Sequence, residues 1–387
     1  MHKTLLIAGS FLLSAQVIMA QPLVSAQETP GALSQSVENE VQAAINRGLA
    51  WLAHHQKEDG SWSNSDFPAL TGLPLQAFAM AGNERYSENR NRAARFVLAS
   101  IQPDGGIYRP VSGRRGGGLS TYNTAVCMTA LHFLGDPGVA RIVQNARSFI
   151  AGTQHFGGDV YAGGFGYDAD TDRAYADLLN TVYAVEAMRV TQSVEDSRPR
   201  GEQRVDIDWS QAVRFIEQMQ NVPGEVPEKD EGGFFYRPGE SKAGTGEGED
   251  GEIIFRSYGS MTYAGMLALI YAEVDRDDVR VRSAMDWASR HWTLAENPGM
   301  GNEGLFYFYN VLTKCLSAYG ADMLPVQKSE DQTQLLNWRR EVAEKLVSLQ
   351  KIDPQTGTGY WENDSGRFWE SDPVLVTAYT LIALLML

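Results

Sequence analysis

Acidic side chains offer the most chemistry in this chain. One loop sets alternate carboxylates at Asp168, Asp170 and Asp172. That spacing lets hard oxygen ligands converge on a calcium ion. Arg173 and Ala174 follow, where an EF-hand would continue toward its glycine and its distant glutamate, so plain solvated loop charges are the competing reading. Asp177 and Asp372 each stand just before an apolar stretch. A carboxylate there serves either as a general acid or base or as a helix cap. Near them in the pattern stand Tyr122, Asn123, Asn180, Arg256, Tyr258, Tyr307 and Tyr309, all close to predicted helix starts. If those starts gather at one place, these residues line a ligand site, since tyrosine walls an apolar cavity while keeping a hydroxyl for orientation.

Other chemistries find less support. Of the six histidines, His54, His55, His155 and His291 fall at the ends of predicted outer helices and His132 near the end of an inner one. No three of them are spaced as zinc ligands. Cys127 and Cys315 sit in apolar helical patterns and read as buried thiols. A phosphate-binding glycine loop, a Gly-x-Ser-x-Gly elbow and a zincin signature are all absent from the sequence. Calcium is therefore the one cofactor the residues suggest. A formal charge of −15 argues against nucleic acid and anionic lipid as partners, because both require a basic field.

The elements that must hold these residues recur along the chain. A helix ends in Gln or a relative, a glycine–aromatic turn follows, and a small-residue apolar helix comes next. The clearest copy runs from Gly48 through Gln56-Lys57-Glu58-Asp59-Gly60-Ser61-Trp62 to Phe78. Further turns lie at Gln102–Tyr108, Gly163–Tyr167, Gly232–Tyr236, Gly301–Gly304 and Gly357–Trp361, giving six units. First helices carry apolar residues at three- and four-residue steps, as in Trp209, Ala212, Val213, Ile216 and Met219. Second helices, such as Met261–Leu269, are apolar nearly all round and predict burial on every side. Such units must stack to bury their faces. The expected fold is all-α, an α6/α6 toroid with an inner ring of buried helices inside an amphipathic outer ring.

Residues 1–26 read as a signal peptide, with His2 and Lys3 before an apolar run and Val24-Ser25-Ala26 as the cleavage pattern. Export to a bacterial periplasm or the extracellular space is the expectation. A flexible segment at 27–40 would precede a toroid domain at 41–387. An acidic, glycine-rich insertion at about 221–255 predicts a mobile surface loop, with a lid over the central cavity as the alternative reading.

The Gln-Lys-Glu-Asp-Gly-Ser-Trp turn and its echoes resemble the QW-type repeat of the squalene–hopene cyclases, and are similar to the repeat of protein prenyltransferase β-subunits. The resemblance covers nearly the whole chain from about Val41. It implies a central cavity holding a long isoprenoid. Cyclases of this kind carry an Asp-x-Asp-Asp acid at an inner-helix start. Here Asp177-Leu178-Leu179-Asn180-Thr181 occupies that place, with Leu179 and Asn180 where acids are needed. The prenyltransferase zinc site needs Asp-x-Cys and a later His. Ala125 and Thr313 precede the two cysteines instead, and no His follows Asp372. The expected function is binding of an extended apolar, isoprenoid-like ligand or a protein partner without that chemistry. The alternative is an enzyme on the same toroid, terpene cyclase-like or a polysaccharide lyase or hydrolase, using carboxylates at the cavity mouth.

Overall fold

The fold follows from how the repeat disposes of its apolar faces. A computed structural model describes residues 31–111, 118–169, 175–248, 251–329 and 332–387; the predicted signal peptide lies outside them. The first three units pair α1 (Gln35–His54) with α2 (Ala69–Ala81), α3 (Ser87–Leu98) with α4 (Ser120–Phe133), and α5 (Ala140–Gly152) with α6 (Leu178–Val190). A short α7 (Gln192–Asp196) leads on to α8 (Trp209–Glu217) and α9 (Gly259–Tyr271). The last two units are α10 (Val279–Arg290) with α11 (Leu305–Tyr319), and α12 (Trp338–Ser348) with α13 (Pro373–Leu384). Helix α1 begins before the expected boundary at 41, because Ser34 accepts a hydrogen bond from the Val37 amide and caps it.

The second helix of each unit packs on its counterparts. Helix α2 meets α4, α4 meets α6, α6 meets α9, α9 meets α11, α11 meets α13, and α13 returns to α2. The ring is closed and its members are buried almost throughout, as their all-round apolar character requires. The first helices form the outer layer and turn only one stripe inward, for example Val41, Ala44, Ile45, Gly48 and Leu49 in α1.

The recurring residues prove to be the joints between units. Gln56 donates from Nε2 to the Gly60 carbonyl in its own turn and to the Asn89 carbonyl on the next outer helix. Gln154 bridges Gly163 and Asp208 in the same way, and Gln220 bridges Gly232 and Arg280. Gln350 donates to the Ala44 carbonyl of α1 and so joins the last unit to the first. The turn aromatics are anchors: Trp62 and Trp361 are fully buried and donate to the Leu52 and Leu346 carbonyls. Inner-helix threonines accept the turn amides, Thr71 from Trp62 and Thr377 from Trp361. Glycine is required in the turn at Gly163, where φ is +92° and a Cβ would lie 2.0 Å from the Gln211 carbonyl oxygen.

Three short antiparallel hairpins decorate the toroid. They pair β1 (Thr245–Glu247) with β2 (Ile253–Phe255), β3 (Leu324–Ser329) with β4 (Gln332–Leu336), and β5 (Lys351–Ile352) with β6 (Gly359–Tyr360). The first belongs to the 221–255 insertion. That segment, expected as a mobile loop, is pinned at its ends: Asn221 donates to the Phe255 carbonyl and Asp230 accepts from the Ser257 amide. No helix among the described residues is long and apolar enough to cross a membrane.

Candidate functional site

Each inner helix begins with backbone amides that have no partner within the helix. Because every inner helix follows an outer one through a turn, these six starts collect at one end of the ring. A side chain caps each of them. Asn123 accepts from the Ala69 amide of α2, Asp168 from Ser120 of α4, and Asp177 from Asn180 of α6. Asn297 accepts from Ser260 of α9, Glu370 from Phe306 and Tyr307 of α11, and Asp372 from Val374 of α13. The acidic and amide residues singled out by type are thus largely the caps that complete this end of the toroid.

Inside the ring of caps lies a cavity of about 360 Å³. Its apolar wall comes from the first turns of the inner helices and the residues before them, including Phe67, Leu70, Leu119, Leu179 and Met261. Seven tyrosines supply the rest: Tyr122, Tyr167, Tyr183, Tyr236, Tyr258, Tyr307 and Tyr379. Phe368 and Trp369 stand at the mouth, both with left-handed backbone at φ +60° and +68°, and Trp369 meets Phe67 edge-on at 5.2 Å. Two successive aromatic residues in that region carry backbone strain that their surroundings must hold in place.

The cavity is closed below. Helices α6 and α13 are opposite one another in the ring, and the hydroxyls of Tyr183 and Tyr379 meet across the axis at 3.3 Å. About one helical turn deeper, at 1.5 Å per residue, Lys314 of α11 reaches Glu186 of α6 at 2.7 Å, both side chains almost fully buried. A pair so placed needs both partners, since either charge alone would be desolvated and uncompensated.

Apart from Lys242, the polar lining among the described residues is neutral. Burial pushes the phenols of Tyr122, Tyr183, Tyr258, Tyr307 and Tyr379 well away from ionisation. Asp177 lies just behind this wall. Its carboxyl accepts from the Asn180 amide and side chain and from the hydroxyls of Tyr175 and Tyr236. Burial nonetheless raises its pKa above the usual carboxylate range. Glu370 is raised for the same reason. The insertion contributes Lys242, the one cationic side chain in the lining among the described residues; its ammonium is bound by Glu240 and lies 4.4 Å from the centre of the Tyr236 ring.

Of the residues expected to line the site, Tyr122, Tyr258 and Tyr307 do so. Asn123, Asn180, Arg256 and Tyr309 are directed elsewhere. Asn123 ties α4 to α2, and Asn180 pairs with Asp177. Arg256 pairs with Asp230 at 3.2 Å, and Tyr309 donates to the Leu294 carbonyl. Asp372 caps α13 and is outside the lining. Asp170 and Asp172 lie outside the described residues, and Asp168 is engaged with α4. Among the described residues, no group of three His, Cys, Asp or Glu side chains is arranged to hold a metal. Cys127 and Cys315 are buried and unpaired with each other. Tyr167, Tyr183, Tyr236, Tyr379 and Lys242 were not anticipated. Tyr183 falls four residues after Leu179, on the same face of α6.

A closed double ring of helices around a central cavity defines the class: this chain is an α/α toroid. Solved structures agree. It is similar to the type II terpene cyclase MstE from Scytonema, bound to merosterolic acid A, at 13% identity over 92% of this chain and 99% of that one, with a TM-score of 0.54. It is similar to protein geranylgeranyltransferase-I from Candida albicans, complexed with GGPP, at 13% identity over 91% of each chain and a TM-score of 0.54. A GH76 α-mannanase from Bacteroides thetaiotaomicron matches at 9% identity over 89% of this chain and 95% of that one, with a TM-score of 0.52. At such identities the likeness establishes the fold. By sequence the chain matches no family model and no curated protein.

Proposed function

We propose that this toroid binds an extended, predominantly apolar small molecule, isoprenoid-like in shape, in the cavity at the inner-helix starts, in an exported protein. The observation that carries the reading is the division of labour at that end of the ring. Carboxylates are spent on helix amides, while the described cavity wall is neutral aromatic and aliphatic apart from Lys242, which Glu240 holds. At about 360 Å³ the cavity falls at the lower end of the roughly 300–1,000 Å³ typical of small-molecule sites. Both the terpene cyclase and the geranylgeranyltransferase, similar in fold, were solved with isoprenoid-derived ligands. Cyclase chemistry fits less well. Protonating an alkene needs a strong acid, whereas burial makes Asp177 a weaker one and Tyr236 separates it from the cavity.

The test is native mass spectrometry of protein from its own host, followed by titration of the emptied protein with isoprenoid alcohols. Leu179→Trp, which places a bulky ring in the cavity wall, should abolish binding while the protein stays folded. Binding unchanged in that variant would refute the location. Conversion of a bound isoprenoid to a cyclic product, lost in Asp177→Asn, would favour the enzymatic alternative.

A further inference from the structure

The tyrosine hydroxyls in the cavity are not equivalent. Those of Tyr183 and Tyr379 bond to each other, and that of Tyr122 bonds to both. Tyr236 bonds to Tyr175, Tyr167 and Asp177. Tyr258 and Tyr307 differ. Both line the cavity, and no hydrogen bond from any described residue reaches either hydroxyl. Tyr258 is only 3% exposed, at the start of α9, and Tyr307 lies in the first turn of the adjacent α11. Helices α9 and α11 pack directly on one another, so the two phenols stand on neighbouring walls of the same cavity. A phenol facing the cavity offers one donor and two acceptor positions, and at Tyr258 and the half-buried Tyr307 these are left for whatever fills the cavity. A tyrosine that served only as apolar wall would do better as phenylalanine.

The surroundings restrict what can satisfy them. Among the described residues Lys242 is the one cation in the lining and is held by Glu240, and the deeper Lys314 is neutralised by Glu186. An anionic group beside Tyr258 and Tyr307 would meet phenols and, among the described residues, no unpaired cation, since Arg367 near Tyr258 is paired with Glu303. A cationic group would find no free carboxylate among the described lining residues. A hydroxyl, which both donates and accepts, suits the pair.

We propose that Tyr258 and Tyr307 recognise an uncharged hydroxyl on the ligand, so that the occupant of the cavity is an apolar alcohol in preference to a hydrocarbon, a carboxylate or a phosphate ester. This rests on the reading of the cavity as an apolar-ligand site. The test is calorimetric titration of the emptied full chain with farnesol, farnesene and farnesoate, which share one chain and differ at its end. Two neutral hydrogen bonds predict that the alcohol binds about tenfold tighter than the hydrocarbon, with the carboxylate weakest. The double variant Tyr258→Phe with Tyr307→Phe should erase the difference between alcohol and hydrocarbon while hydrocarbon affinity holds. Each single variant should remove part of it, a measurement that stands should the double variant fail to fold. Equal affinity for alcohol and hydrocarbon in the natural chain, a preference surviving in the variants, or tightest binding of farnesoate would each overturn the assignment. Farnesene binding without an alcohol preference defeats this inference alone. Failure of all three to bind defeats the cavity reading with it.

Discussion

If the cavity holds an isoprenoid chain, affinity should depend on chain length in a manner set by its volume. At roughly 30 Å³ for each water-sized group, a cavity of about 360 Å³ accommodates on the order of twelve such groups. That corresponds to between two and three isoprene units. Each methylene taken from water contributes about 0.8 kcal/mol, so a five-carbon unit contributes at most about 4 kcal/mol before ordering costs are subtracted. The expected gain is therefore about tenfold or more per unit while the chain still fits inside. The floor built by Tyr183, Tyr379 and the Lys314–Glu186 pair stops the chain from going deeper. Further carbons must emerge past Phe368 and Trp369, where they lose only part of their hydration. Titrating the emptied protein with isoprenoid alcohols of five, ten, fifteen and twenty carbons should show steep steps up to fifteen and a plateau beyond. A flat series would refute burial of the chain in this cavity. A continued steep rise through twenty carbons would refute the floor.

Two further outcomes test the division between scaffold and site. Asn123→Ala leaves the buried Ala69 amide and Gly118 carbonyl without their partner, which should cost about 2–4 kcal/mol of stability in denaturant titration; unchanged stability with lost ligand affinity would instead make Asn123 a ligand contact. Asp177 and Glu370 have folded-state pKa values raised by burial. Their contribution to stability is full below the unfolded-state carboxylate range and declines as pH rises through the folded-state values. Asp177→Asn with Glu370→Gln should therefore gain stability relative to the natural chain between about pH 4 and pH 7, and a stability difference independent of pH across that range would count against the burial argument.

Most of the architecture is legible in the residues because the repeat performs the same local task several times. Gln56, Gln154, Gln220 and Gln350 each tie a turn to a neighbouring outer helix, and a residue constrained by the same joint in each copy leaves a periodic trace. The cavity left a fainter one. Its tyrosines occupy different positions in different helices, third in α4 and α11 but sixth in α6 and seventh in α13. What unites them is a shared direction toward the axis, which appears only once the ring is closed. Lys242 was harder still, because the insertion that carries it has no counterpart in the other units.

The acidic residues show why type and position alone misdirect. A carboxylate before an apolar helix satisfies the requirements of an acid–base group and of a cap equally, and the two roles separate only through what surrounds it. At Asp177 the Asn180 amide lies against the carboxyl, as the Phe306 and Tyr307 amides do at Glu370. A ring of six largely buried helix starts leaves many amides to satisfy. The toroid therefore needs acceptors at this end whatever it binds. The polar groups free to meet a ligand are those the caps leave over, and among the described residues they are mainly phenols.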